Sequence, residues 1–159
     1  MGIEIERKFL VRELPLDIFR SRIICQGYIV RETGRVVRVR TLEEEGQENG
    51  LGFLTVKGRT KESVRPEYEY EIPLDDAREM LDLLCEKPLI QKTRLWTRYQ
   101  GEEWVIDCFA GENQGLVVAE IELQSPDQDF GVPPWAGPEV TRDPRYFNSN
   151  LIRHPYSKW

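Results

Sequence analysis

The sequence predicts a mainly β protein of the α+β class, an eight-stranded antiparallel closed β-barrel with a few covering helices. Two observations carry this prediction. Eight segments alternate apolar and polar residues at the period of two that β-strands show. In most of them, the charged side chains share one face and the apolar side chains share the other. Since eight strands suffice to close a barrel around one small ligand, we expect the charged faces to line its interior.

The first predicted strand, over residues 2–11, shows this pattern most clearly. Its charged face presents Glu4, Glu6 and Lys8, while its opposite face is apolar. Taken alone, the pattern is typical of a half-buried strand whose charged face lies in water. Its repetition in later strands is what favours an enclosed charged face.

The next four strands are predicted over residues 26–30, 35–42, 53–57 and 66–72, separated by polar or glycine-containing turns. Their charged faces are segregated by sign, with basic residues on the third and fourth strands and acidic residues on the fifth. A face that serves only solubility tends instead to intersperse the two signs. The charged residues of these faces are Arg38, Arg40, Lys57, Glu67, Glu69 and Glu71.

One convincing helix is predicted over residues 75–86, where apolar residues fall on a single stripe. Asp76 followed by Glu79 resembles a capping box at its start. Pro88 ends the helix because proline cannot continue the helical hydrogen bonds. A final short helix is predicted over residues 145–153. These helices would cover part of the apolar exterior.

Three more strands are predicted over residues 89–99, 103–109 and 116–124. Their charged faces add Lys92, Arg94, Asp107, Glu120 and Glu122. Residues 125–144 contain five prolines and are predicted to form an irregular arm over an apolar face. With no internal repeat and a length of 159 residues, the chain is predicted to be a single domain over residues 1–159.

The overall composition argues against several classes of protein. A net charge of −6 gives no global positive field for nucleic acid or for an anionic membrane surface. Cys25, Cys85 and Cys108 are odd in number and lack the spacing of a zinc site or a disulfide framework. No apolar run reaches transmembrane length and no signal peptide is recognisable, so we expect a cytoplasmic protein.

An enclosed face of mixed charge points to one kind of ligand. Buried ions are costly to desolvate unless they are paired or bound to other ions. Arg and Lys bind phosphate oxygens, while carboxylates bind Mg²⁺ or Mn²⁺, which can in turn bridge phosphates. Acidic and basic strands around one cavity therefore indicate a complex of a divalent metal with a polyphosphate. The alternative is an open sheet whose charged face is simply solvated.

The segment Glu4-Ile5-Glu6-Arg7-Lys8 resembles the Glu-x-Glu-x-Lys signature of the CYTH proteins, the triphosphate tunnel metalloenzymes, in the form of their small bacterial tripolyphosphatase-like members. The similarity continues in order along essentially the whole chain. Its further motifs are Gln26-Gly27-Tyr28, Arg38-Val39-Arg40, Thr55-Val56-Lys57-Gly58, Glu67-Tyr68-Glu69-Tyr70-Glu71, Lys92-Thr93-Arg94, Asp107-Cys108-Phe109-Ala110-Gly111, Glu120-Ile121-Glu122, and Val140-Thr141 with Arg145-Tyr146.

The resemblance implies a role for each matched residue. The implied catalytic residues are Glu4, Glu6, Lys8 and Tyr28. The implied phosphate-binding residues are Lys8, Arg38, Arg40, Lys57, Lys92 and Arg94. The implied metal ligands are Glu4, Glu6, Asp107, Glu120 and Glu122, and the carboxylates expected to orient the basic residues are Glu67, Glu69 and Glu71. For Tyr28, a purely structural buried hydroxyl is an equal alternative. Phe147 stands where several small members have a lysine, which leaves substrate contact by the C-terminal helix open.

The resemblance also implies an activity, the hydrolysis of triphosphate compounds with Mg²⁺ or Mn²⁺. The favoured substrate is inorganic tripolyphosphate, cleaved to pyrophosphate and phosphate by a metal-activated water. A class IV-type adenylyl cyclase and a thiamine triphosphatase are the enzymatic alternatives. A non-catalytic module that binds polyphosphate or nucleotides is the alternative of another class. The expected partner is the small triphosphate, with neither nucleic acid nor membrane, and a homodimer is compatible with the resemblance.

Overall fold

The computed structural model describes residues 2–159, and Met1 lies outside the described residues. Eight antiparallel strands close into a barrel, which confirms the predicted fold class. The strands are β1 (Ile3–Val11), β2 (Arg20–Glu32), β3 (Arg35–Glu43), β4 (Gly50–Lys57), β5 (Val64–Ile72), β6 (Ile90–Tyr99), β7 (Glu102–Phe109) and β8 (Val117–Glu122). Around the barrel they follow the order β1, β5, β4, β3, β2, β6, β7, β8, and β8 returns to β1.

The strand β1 closes the barrel by using both of its edges. Residues 3–5 pair with β5, and residues 6–10 pair with β8. A ninth strand, β9 (Ala136–Glu139), lies on the edge opposite β8, because Phe9 is paired with Ala119 on one side and Glu139 on the other. Its residues lie in the segment 125–144 that was predicted to be irregular, so that prediction is wrong for Ala136–Glu139. Its proline at position 138 is tolerated because β9 is an edge strand.

One α-helix, α1 (Leu74–Leu83), occurs in the described part of the chain and is shorter than predicted. Pro73 is its N-cap and no side chain caps it, so the predicted capping box is wrong. Its buried residues Ala77 and Leu81 pack on the outer face of the barrel against Val39. None of the helices in residues 2–159 is both long and apolar enough to span a membrane.

The helix predicted over residues 145–153 does not form. Only Pro144–Tyr146 makes a single 3₁₀ turn there, and two further 3₁₀ turns occur at Gly111–Asn113 and Tyr156–Lys158. The segment contains asparagines, whose short polar side chains compete with the helical backbone for hydrogen bonds. The amide Nδ2 of Asn150 does so directly, donating to the Pro144 carbonyl at 2.8 Å.

The Pro-rich arm covers a second sector of the outer face, formed by β1, β7 and β8. Trp104 is fully buried there beneath the arm residues Phe130 and Trp135, and both pack edge-to-face against its ring. Phe9 of β1 packs on the same tryptophan with ring centroids 5.6 Å apart. Outward-facing apolar side chains of the strands are therefore buried under α1 and the arm. The opposite faces of the same strands point into the barrel.

One end of the barrel interior is filled by apolar side chains. Several of them occupy the same inward-facing rows as the charged residues, two positions away; for example, Val118 precedes Glu120, and Ile90 precedes Lys92. Residues that follow β9 pack onto them and cover this end. We call this group the apolar plug; it comprises Leu10, Tyr28, Val36, Ile90, Phe109, Leu116, Val118, Val140, Tyr146, Leu151 and Ile152.

Candidate active site

The rest of the barrel interior is a cavity of about 440 Å³ that is lined mainly by charged side chains. It gathers residues from all eight barrel strands, with Tyr28 as the contribution of β2. The predicted site residues that line it are Glu4, Glu6, Lys8, Tyr28, Arg38, Arg40, Lys57, Glu67, Glu69, Lys92, Arg94, Glu120 and Glu122. Asp107 and Glu71 are the two predicted residues that do not line it.

Strand register brings four carboxylates to one side of the cavity. In the β1–β8 pair, Glu6 lies directly opposite Glu122, and Lys8 lies directly opposite Glu120. Glu4 continues the same inward row of β1. Like charges placed directly opposite on neighbouring strands repel one another. This side of the cavity therefore carries an excess of negative charge that favours binding of a cation.

The electrostatics of Glu6 reflect that excess. Burial raises the pKa of its carboxyl to about 8, and the neighbouring carboxylates of Glu120 and Glu4 act in the same direction. The pKa of Glu122 is also raised, by burial and by Glu4. Within residues 2–159, neither Glu6 nor Glu122 forms an ion pair. These two carboxyls are the groups of the cavity most in need of a positive partner.

Glu120 has the opposite character. Burial by itself would raise its pKa, but the nearby cations of Lys8, Arg94 and Lys92 outweigh that effect and hold the pKa at about 2. The Lys8 Nζ lies 3.4 Å from Glu120 Oε1, and an Arg94 Nη2 lies 3.9 Å from Oε2. Glu120 is therefore ionised at neutral pH and joins the acidic side of the cavity to its basic side.

The basic side chains on β3 and β4 are each held by a carboxylate. Arg38 and Arg40 both contact Glu69 at 3.2 Å, and burial lowers the pKa of Arg40 to about 10. Lys57 donates to both oxygens of Glu4 at 2.8 Å and lies 3.2 Å from Glu67. These ion pairs fix the cations in place while leaving them at the cavity wall.

Glu71, which the sequence groups with Glu67 and Glu69, has a different position. It is exposed and lies near the end of β5, paired in register with Phe53. The inward row of β5 has reached the rim of the barrel at this residue. Its carboxylate therefore faces solvent and contacts none of the cavity cations among the described residues.

Asp107, which the resemblance groups with the metal ligands, is surrounded by cations in the structure. Its two oxygens accept from Lys92 Nζ at 2.7 Å and from Arg94 Nε and Nη2 at 2.7 and 2.8 Å. It is 2% exposed, and despite burial these neighbours hold its pKa well below the usual range. Burial also lowers the pKa of Lys92, to about 8, although Asp107 opposes the shift. With both oxygens engaged, Asp107 orients two cavity cations instead of facing the cavity.

Tyr28 lies where the apolar plug meets the charged cavity. Its side chain is 4% exposed, and its hydroxyl accepts a hydrogen bond from Gln26 Nε2 at 3.2 Å. Burial raises its pKa, so the hydroxyl carries its proton at neutral pH. The residue can therefore donate that proton to a ligand in the cavity.

Sequence reasoning missed thirteen residues that line the cavity. Five of them fall into two groups, and the other residues are Val36, Thr60, Glu62, Ser63, Trp96, Glu102, Glu103 and Val105. Arg65 lies two residues before Glu67 and shares its inward row, but the predicted strand began at residue 66. Extending the alternation by one step would have found it. The second group comes from the C-terminal segment and comprises Thr141, Phe147, Asn148 and Ser149. No periodic pattern marks these residues, because they follow β9 in an irregular segment.

The donor set fits a hard divalent cation whose coordination shell is completed by a ligand. Residues 2–159 contain no group of three or more Asp, Glu, His or Cys side chains that is already gathered to hold a metal ion. Mg²⁺ typically binds through only one or two carboxylates and takes its other oxygens from water and substrate phosphates. Glu6 and Glu122, opposite each other and without cationic partners, are carboxylates of the required kind.

Comparisons with known proteins agree with this chemistry. No family model matches the chain. The chain is 46% identical to an inorganic triphosphatase from Acetivibrio thermocellus, over all of this chain and 99% of that protein. It is 37% identical to an inorganic triphosphatase from Nitrosomonas europaea, over 93% of this chain and 95% of that protein.

A solved structure extends the similarity to three dimensions. The crystal structure of the inorganic triphosphatase NE1496 superposes with a TM-score of 0.67 at 33% identity, covering 96% of this chain and 95% of that one. Identity at this level over nearly the full length of each relative is shared by members of one family. The chain therefore belongs to the inorganic triphosphatases of the CYTH, or triphosphate tunnel metalloenzyme, family.

Proposed function

We propose that this protein hydrolyses inorganic tripolyphosphate to pyrophosphate and phosphate with Mg²⁺ or Mn²⁺. One observation carries the proposal: a single cavity in the barrel has unpaired carboxylates on one side and a continuous set of Lys and Arg side chains on the others. The family membership supports the same reaction, because the relatives are named inorganic triphosphatases.

The basic residues would hold the phosphate chain. In this proposal, Arg38, Arg40 and Arg94 bind phosphate oxygens through their forked guanidinium groups, while the lysines act as point charges. The lysines are Lys8, Lys57 and Lys92. Because ion pairs already fix these side chains, little conformational entropy is lost when the substrate binds. Phosphoryl transfer needs positioning and charge stabilisation more than covalent catalysis, and this arrangement supplies both.

The acidic residues would hold the metal, with Glu4, Glu6, Glu120 and Glu122 as the ligands. Lys57 donates to both oxygens of Glu4, but Glu4 lines the cavity and Asp107 does not. A bound Mg²⁺ or Mn²⁺ neutralises phosphate charge and lowers the pKa of a water that can attack the terminal phosphoryl group. Lys8 lies opposite Glu120 in register, so its ammonium stands between the acidic side and the phosphates. Tyr28 keeps its proton and can donate a hydrogen bond to a phosphate oxygen or to a water. Asp107 orients Lys92 and Arg94 and is not a ligand in this proposal.

The cavity favours an all-phosphate substrate over a nucleotide. Val36, Val105, Trp96 and Phe147 are apolar, but the remaining lining is dominated by charged and polar side chains. A base-recognition pocket needs a larger apolar or stacking surface with a few polar groups. The cyclase and thiamine triphosphatase alternatives therefore have less support, and they enter the experiment as competing outcomes.

A substrate panel tests the proposal. Phosphate release is measured with tripolyphosphate, ATP and thiamine triphosphate in the presence of Mg²⁺, Mn²⁺ or a chelator, together with a cyclic AMP assay. We expect the highest kcat/KM with tripolyphosphate and no turnover with the chelator. Formation of cyclic AMP without phosphate release would instead support a cyclase. Tight binding of tripolyphosphate without turnover in either metal would support a non-catalytic module.

A further inference from the structure

We infer that Asn148 is a further substrate-binding residue, which donates a hydrogen bond from its Nδ2 to a phosphate oxygen while its Oδ1 positions Lys92. The inference rests on the proposed function and adds a group from the irregular C-terminal segment to it. Asn148 lines the cavity between Phe147 and Ser149. It is a neutral side chain in a site otherwise dominated by full charges.

The orientation of the Asn148 amide is fixed by its neighbours. Its Oδ1 accepts from Lys92 Nζ at 2.9 Å and from Gln26 Nε2 at 3.1 Å. A lysine ammonium carries three donors and no acceptor, so the amide atom next to it must be the oxygen. The Gln26 group that faces the same oxygen must then be its NH₂. Two donors on one side leave the Nδ2 group of Asn148 on the other side.

That Nδ2 group makes no hydrogen bond to any residue from 2 to 159, and the side chain borders the cavity. It therefore offers two N–H donors to whatever the cavity binds. A phosphate oxygen is an acceptor and has no proton to offer at its ionised positions. A neutral donor suits it, because it adds a hydrogen bond without adding a further charge that would have to be desolvated.

Lys92 brings the same phosphate within reach. Its ammonium donates to Asp107 Oδ2 at 2.7 Å and to Asn148 Oδ1, which occupies two of its three protons. The third proton meets no hydrogen-bond acceptor among residues 2–159, and Lys92 itself lines the cavity. A phosphate oxygen that accepts from Lys92 therefore lies beside the Asn148 amide. The two residues form one binding position for the phosphate chain.

The segment that carries Asn148 is held firmly from both sides. Lys8 Nζ donates to the Tyr146 carbonyl at 3.2 Å, and Leu151 is fully buried in the apolar plug. Between them, the backbone N–H groups of Asn150 and Leu151 donate to the Phe147 carbonyl at 2.8 and 3.1 Å. The asparagine is thus positioned before any substrate arrives, which limits the entropy lost on binding.

Two substitutions at this position separate substrate contact from positioning. Asn148→Asp keeps an acceptor for Lys92 and Gln26 but replaces the NH₂ donor by a negatively charged oxygen. We expect its KM for tripolyphosphate to rise about tenfold or more, with a smaller change in kcat. Asn148→Ala removes both functions, and we expect its KM to rise about five- to tenfold. Titration calorimetry with tripolyphosphate in chelator-treated buffer gives the affinity in the absence of turnover.

Asn150→Asp is the matched control. It adds the same charge two residues away, but Asn150 donates to the Pro144 carbonyl and does not line the cavity. We expect its KM to stay within about twofold of the wild type. Thermal melting of all variants separates a loss of folding from a loss of binding.

The outcomes distinguish the inference from the function on which it rests. A wild type that neither binds nor hydrolyses tripolyphosphate overturns the proposed function. A normal KM in Asn148→Asp with a raised KM in Asn148→Ala means that the residue only positions Lys92, and it overturns the substrate contact. If Asn148→Asp does not fold, Asn148→Ala decides, because a wild-type KM in that variant contradicts the contact equally.

Discussion

The barrel interior consists of two regions, the charged cavity and the apolar plug, which are built from the same rows of the same strands. In β8, Val118 belongs to the plug and Glu120 to the cavity; in β6, Ile90 and Lys92 are divided in the same way. Period-two alternation determines which side chains point inward. Position along the strand determines which of the two regions they join. Stability and function are therefore separated along the barrel axis.

The two regions differ in their energetics. Each large apolar side chain that is fully buried in the plug contributes about 1.5–3 kcal/mol to folding. The cavity contains ions whose desolvation opposes folding, as the raised pKa values of Glu6 and Glu122 indicate. We therefore expect substitutions in the plug to lower stability and substitutions in the cavity to lower activity. Four predictions test this division, in order of decreasing effect.

The largest effect on stability is expected at Asp107, a charged residue that is buried like a residue of the plug. Asp107 is an acidic residue, yet it is fully enclosed by Lys92 and Arg94. Asp107→Ala removes the carboxylate that lies closest to these two buried cations, so we expect a loss of about 3–5 kcal/mol in the free energy of unfolding. Urea denaturation measures it, with Glu71→Ala as the control for an exposed carboxylate. A loss below about 1 kcal/mol would show that the two cations find other partners.

Glu6→Gln tests whether a cavity residue affects activity without lowering stability. We expect kcat/KM for tripolyphosphate to fall on the order of a hundredfold or more, because a carboxylate proposed to hold the metal is lost. The free energy of unfolding should stay constant or rise, since a repulsive buried carboxyl is removed. Phosphate release and urea denaturation are measured on the same preparation. A large fall in stability would contradict the separation of the two regions.

Leu151→Ala tests whether a plug residue affects stability without lowering activity. Leu151 is fully buried among the plug residues, so truncation leaves a cavity and should cost about 2–4 kcal/mol in the free energy of unfolding. We expect kcat of the folded protein to change less than about threefold. Leu83→Ala, on the exposed end of α1, is the control. A loss of kcat without a loss of stability would mean that the plug takes part in the reaction.

The smallest effect concerns pH. The pKa of Glu6 is about 8 in the folded protein and near 4.5 when unfolded, so the unfolded chain loses this proton first as pH rises. The contribution of this residue to stability is therefore present below about pH 4.5 and should be lost as the pH rises toward 8. The measurement is the difference in unfolding free energy between wild type and Glu6→Gln at several pH values in metal-free buffer. A difference that is independent of pH would contradict the raised pKa.

Glu120 should show the opposite dependence of stability on pH, because its pKa is lowered on folding whereas that of Glu6 is raised. Its folded pKa of about 2 lies below its unfolded value, so its contribution to stability is present above about pH 4.5 and is lost as pH falls toward 2. The two windows hardly overlap. Comparison of the wild type with Glu6→Gln and with Glu120→Gln over the whole pH range therefore measures the contribution of each residue in its own window.

The sequence alone was sufficient to predict the barrel and most of the cavity wall, because both depend on alternation. Glu4, Glu6 and Lys8 face inward for the same reason that Ile5 and Phe9 face outward. Alternation is a local property of the chain, so it can be read without knowing which strands are neighbours.

The contacts of Asp107 could not be predicted in this way. They depend on the register of β6 and β7, where Arg94 lies directly opposite Asp107. The apolar plug was missed because Ile90 and Val118 continue the inward rows without any change in period. Asn148 and β9 lie in segments with no period at all. The features that could not be predicted therefore depend on non-local pairing, on position along the barrel axis or on irregular backbone.

The pairing of β1 has a consequence for how the protein is made. Ribosomes synthesise β1 before its partners β5, β8 and β9, which begin at Val64 and end at Glu139. A nascent chain on the ribosome thus exposes Glu4 and Glu6 long before either edge of their strand can be occupied. Such distant closure is expected to make folding slow. The acidic side of the cavity can then assemble only after β8 has been synthesised.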